Sequence, residues 1–148
     1  MDTAANELNL GALLPNMSTV VGWIQTILGL AVMAGPLILL GFGLLYKHRP
    51  PAEANYGVGY RFWWGMASLD AWKYTQCLAG KLWTTVGGIL SGIMFVVCLL
   101  FGLMDLMTMA WVAGICLLIE LVVIAAVCIT INVKVMKKFD KDGYLREE

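Results

Sequence analysis

The chain has 148 residues, 60% of them hydrophobic and only 14% charged, with a formal net charge of zero. An average soluble chain is roughly 45–50% apolar and roughly 25% charged. A soluble domain this small has too much surface for its volume to hide the surplus, so a soluble enzyme is excluded and the composition is that of a membrane protein.

The segment ahead of Val20 carries no Lys or Arg, only Asp2 and Glu7. It lacks the basic n-region of a cleaved signal peptide. Leu8, Leu10, Leu13 and Leu14 predict a short interfacial helix there. Asn16-Met17-Ser18 matches a glycosylation sequon, but it lies too close to the apolar run to be read as one.

Three runs reach the roughly 20 apolar residues that a helix needs to cross a bilayer. They span about residues 20–46, 84–104 and 110–133, and only the third holds a charge, Glu120. Pro36 is expected to kink the first. Trp23 and Tyr46 bracket the first span, while Trp83 and Trp111 open the other two, as an aromatic belt requires.

Between the first two spans lies the loop 47–83. Pro50-Pro51 ends the first helix. Ser68 is a helix N-cap candidate and Asp70 falls in the first turn, facing the positive end of the helix dipole. Leu69, Trp72, Ala79 and Trp83 recur at near-helical spacing. They predict an amphipathic helix lying in the membrane interface and feeding into the second span. The tail 134–148 is short and mixed in charge, a solvated extension of the third helix.

The cations set the topology. Lys47, Arg49, Arg61, Lys73 and Lys81 fall in the loop, and Lys134, Lys137, Lys138, Lys141 and Arg146 in the tail, which together are all ten in the chain. With three spans these segments share a side, cytoplasmic by the positive-inside rule; the N-terminus and the Asp105 turn then face outward. The expected architecture is an all-α membrane protein forming a single membrane domain, with three transmembrane helices plus the interfacial helix.

Within the loop, Gly59-Tyr60-Arg61 is followed by Trp72-Lys73, with Met66, Ser68 and Asp70 between and Ala79-Gly80 after. This pattern resembles the signature of the SdpI family of bacterial membrane proteins. The resemblance is close from about residue 56 to 83 and extends to the flanking spans by hydropathy. Where the family carries a polar stretch with an extra basic residue, this chain has Phe62-Trp63-Trp64-Gly65, which draws the loop toward the headgroup layer. The resemblance implies a three-span protein of the bacterial inner membrane. Its name-giving member is an immunity protein against a secreted peptide toxin and a membrane signal transducer that sequesters a repressor. A peptide toxin or a cytoplasmic regulator is therefore the implied partner.

The residues themselves nominate three places. Gly59, Tyr60, Arg61, Asp70, Trp72 and Lys73 form a candidate partner- or anion-binding set. Arg61 is its centre, and Asp70 is near enough in sequence to brace it. Part of the loop's charge would simply hold anionic lipid. Glu120 falls near mid-membrane, where a charge costs at least about 2.5–3.5 kcal/mol. It is expected to be protonated, to face other helices or to line a cavity, with Ser91 as partner; this supports an alternative reading as a small transporter or an accessory subunit of a membrane complex. Gly88 and Gly92 form a close-packing face for intramolecular packing or a homo-oligomer.

No nucleophile–base pair, nucleotide fingerprint or nucleic-acid motif is present, so no catalytic residue and no cofactor are assigned. Cys77, Cys98, Cys116 and Cys128 lack metal-ligand spacing and read as small buried hydrophobes. Met104, Met107 and Met109 beside Asp105 read as interfacial filler rather than a copper site, because no Cys or His accompanies them. His48, between Lys47 and Arg49, reads as a solvated residue.

Overall fold

The computed structural model describes residues 16–52 and 57–146. The leucine-rich stretch 8–14 and its expected interfacial helix lie outside the described residues. Three long helices account for most of the chain: α1 (Met17–His48), α2 (Leu69–Leu100) and α3 (Leu106–Lys138). Each is long and apolar enough to cross a membrane. The first has 32 residues, a length of about 48 Å against about 30 Å of hydrocarbon.

α1 and α2 form an antiparallel hairpin with α3 laid against both. The hairpin is seamed by glycines. A Cβ at Gly80 would stand 2.7 Å from the Lys47 backbone nitrogen, and one at Gly87 would stand 2.6 Å from that of Leu40. A Cβ at Gly43 would strike the backbone of Thr84. Further along, the Cys98 thiol donates to the Gly29 carbonyl at 3.7 Å. The register is therefore constant along the pair, and backbone meets backbone where side chains are missing. In lipid, where water gives no hydrophobic push, such contact is a main source of helix association. Gly88 and Gly92 are not part of this seam. Both are exposed, and a Cβ at Gly92 would meet nothing within 4 Å. Within the chain the close-packing seam is built from Gly43, Gly80 and Gly87 instead.

Around this seam the core is split into two clusters. Val32, Leu90, Met94, Phe101 and Met109 pack toward the Asp105 end. Tyr46, Ala71, Ala79, Ile131, Val135 and Phe139 pack toward the cationic end. Ile27 and Leu30, Ile89 and Ile93, and Leu118 and Leu121 are exposed on the outer faces, as lipid-facing positions require.

The amphipathic segment after Ser68 is helical, but it is the uninterrupted beginning of α2 rather than a separate interfacial helix. Its first turns run past the end of α1, because Gly80 already faces Lys47. Ala71, Trp72, Thr75, Gln76 and Ala79 are buried there. The chain's own loop and tail cover this face in place of lipid headgroups. The tail extends α3 to Lys138, and most of the residues beyond it are exposed. After α3 it turns back, with an isolated bridge between Phe139 and Leu145.

Candidate functional site

The cationic end is built around Gly59, Tyr60 and Trp72. Gly59 has φ +132°, a region that L side chains rarely adopt, and a Cβ there would lie 2.6 Å from the Trp72 ring. Trp72 is fully buried, and its indole N–H donates to the Pro51 carbonyl at 2.9 Å. The Gln76 side chain grips the next residue at both backbone groups. It accepts from the Tyr60 N–H at 2.8 Å and donates to the Tyr60 carbonyl at 2.8 Å.

From that anchor the Tyr60 ring reaches α3. Its hydroxyl donates to Asn132 Oδ1 at 2.8 Å, and its ring meets Trp83 edge-on at 5.4 Å. Trp83 in turn packs on Tyr46 of α1 at 5.6 Å. Tyr60 thus ties loop, α1, α2 and α3 together. Burial pushes its hydroxyl pKa up to about 12, so it stays protonated as a donor.

The tail joins the same assembly. Ser68 Oγ accepts from the Ala71 N–H at 3.1 Å, as the expected N-cap, and donates to the Gly143 carbonyl at 2.7 Å. Gly143 has φ +82° and sits directly on Ser68. The Arg146 guanidinium donates to the Phe139 carbonyl at 3.1 Å, and the Lys138 ammonium stands 4.2 Å from the centre of the Tyr74 ring. Between loop and tail an open cleft of about 810 Å³ is lined by Trp63, Met66, Ala67, Lys141, Asp142 and Tyr144.

The six nominated loop residues therefore divide. Gly59, Tyr60 and Trp72 lie inside the assembly, whereas Arg61, Asp70 and Lys73 are exposed on its surface. No ion pair joins Arg61 to Asp70 among the described residues, so the bracing pair is not formed. Sequence reasoning missed Gln76, Asn132 and Gly143. The available signal for the first was its register, one turn after Trp72 and three residues before Ala79, which puts it on the face those residues mark; in the structure it is fully buried there.

Glu120 is buried at 3% exposure, facing α1 as expected. Its Oε2 lies 2.8 Å from where a Gly35 Cβ would be. The expected hydrogen bond to Ser91 is absent: Ser91 Oγ and Glu120 Oε1 are each buried without a partner among the described residues. No group of three or more His, Cys, Asp or Glu side chains suited to a metal occurs among the described residues.

A family model described as the SdpI/YfhL protein family matches residues 52–132, which takes in the loop, α2 and most of α3. Comparison with curated proteins and with solved structures gives no match.

Proposed function

Because the chain belongs to the SdpI/YfhL family, we propose that this integral membrane protein is a non-enzymatic interaction protein of the bacterial cytoplasmic membrane, acting in immunity to a peptide toxin, in membrane signalling, or in both. Its cationic end faces the cytoplasm and its N-terminus the outside. Arg61, Asp70 and Lys73 are its contact surface, while the buried half of the signature holds that surface in place.

The supporting observation is the division of the signature. Gly59, Tyr60 and Trp72 are consumed by packing, so their role is to fix the loop. Arg61 and Lys73 remain exposed and have no ion-pair partner among the described residues. A guanidinium next to a backbone gripped by Gln76 suits a carboxylate or phosphate on a partner. Basic side chains at this height also attract anionic lipid, which would keep the loop near the membrane.

The test is a protection assay. Cells expressing the chain are challenged with secreted antimicrobial peptides, beginning with any encoded beside it, and compared with cells lacking it. Protection should be present with the parent and lost with Arg61→Glu and Lys73→Glu, at unchanged amounts in the membrane. If the charge-reversed variants protect as well as the parent, the contact surface lies elsewhere. If no peptide distinguishes the two cell types and no regulator is retained at the membrane, the immunity and signalling reading fails.

A further inference from the structure

Halfway along the spans the chain buries polar groups that the packing leaves unmet. Glu120 lies midway between Asp105, the N-cap of α3, and Lys134, the nearest charged residues along the chain. Its Oε1 has no partner among the described residues, and neither has Ser91 Oγ on α2. Pro36 on α1 has no N–H to offer the Val32 carbonyl one turn back, so a third acceptor is freed at the same level. Gly35, beside Pro36, is the residue whose missing side chain makes room for the carboxyl.

A groove of about 250 Å³, lined by Gly35, Ile38, Leu39, Phe42, Trp83 and Ile124, lies next to this buried cluster. Gly35 forms one wall, and Ile124, one turn from Glu120, forms another. We propose that Glu120 is a proton-exchange site at mid-membrane, a carboxylic acid that binds and releases a proton within the helix bundle. This goes beyond the role proposed for the loop and does not depend on it.

The surroundings favour a proton over a metal cation. The spans contain no Lys or Arg at this depth to balance a carboxylate. The titratable groups that face Glu120 are the thiols of Cys116 on α3 and Cys98 on α2; α1 presents none. A sodium or lithium ion needs several oxygens turned inward at once. The groove offers almost exclusively apolar walls, and one carboxyl, one hydroxyl and one carbonyl are too few for a closed cage. An uncompensated charge is costly here, so the acid holds its proton at rest.

Dicyclohexylcarbodiimide, which enters lipid and attacks protonated carboxyl groups shielded from water, is the probe. The carboxyl proton passes to a carbodiimide nitrogen while the carboxylate oxygen bonds to the central carbon; the adduct then rearranges to a stable acylurea. The full chain in liposomes is labelled over a pH series and mapped by mass spectrometry. Labelling should occur at Glu120, vanish in Glu120→Gln, and fall about tenfold per pH unit above the midpoint, as a single proton requires. Gly35→Ala keeps the acid but fills its space, and should slow labelling several-fold. Absence of label at Glu120, a rate independent of pH, or protection by sodium or lithium at fixed pH would overturn the proposal. The pH profile is read on the parent protein, so a poorly folding Gln variant does not decide the outcome.

Discussion

At the scale of single residues, Gln76 and Gly59 hold the loop. Gln76→Leu leaves both backbone groups of Tyr60 unpaired, at about 1–3 kcal/mol for each that stays dry. Gly59→Ala adds strain of about 1–3 kcal/mol and a clash with Trp72. Both should lower the thermal midpoint in detergent, whereas Arg61→Ala should leave it unchanged because its side chain is exposed and makes no hydrogen bond or ion pair among the described residues. Tyr60 adds a pH dependence. Its hydroxyl pKa in the folded protein is raised to about 12 by burial. The stability it supplies is fully present below the unfolded value of about 10 and is lost as pH rises through the folded one. Unfolding followed between those limits should show a decline that Tyr60→Phe flattens.

At the scale of the elements, the α1–α2 seam and the cap of α3 make separate claims. Gly87→Leu forces a side chain between two backbones and should destabilise the hairpin by about 1–3 kcal/mol or more. Gly92→Leu should be silent in the same unfolding measurement, since its face is open; a loss there would reveal a contact with a second chain. At the other end Asp105 caps α3, accepting from the Thr108 N–H at 3.1 Å and from its hydroxyl at 2.6 Å. Those donors hold its carboxyl below the usual carboxylate range. Its contribution is present above the unfolded pKa and disappears as pH falls through the lowered folded value. Amide exchange in the first turn of α3 should therefore accelerate in acid, and Asp105→Ala should remove that dependence.

The three spans were legible because each is a long apolar run with at most one charge, and a bilayer admits few other solutions for such a run. The Ser68 cap and the burial of Glu120 were legible for similarly local reasons. What stayed hidden is tertiary. Leu69, Trp72 and Ala79 mark an amphipathic face, but a face covered by lipid headgroups and one covered by Tyr60 and Phe139 read alike in sequence. Gly88 and Gly92 have the recognised spacing, whereas the seam actually formed by Gly80 and Gly87 is visible only when Lys47 and Leu40 stand opposite them. Gly143 could not be tied to Ser68 at all, because that bond joins residues far apart in the chain.

At the scale of the whole molecule, everything proposed for the loop requires the cationic end to lie inside the cell. The chain carries its own reporter there. Cys77, against the expectation of a buried thiol, is exposed on α2 within the cationic stretch, between Lys73 and Lys81. Met107, exposed beside Asp105, offers the matching position at the other end. A membrane-impermeant maleimide should leave Cys77 unlabelled in intact cells and label it after lysis. A Met107→Cys, Cys77→Ser variant should be labelled from outside without lysis. Labelling of Cys77 in intact cells, with Met107→Cys protected, would invert the molecule and remove the cytoplasmic contact surface from the account.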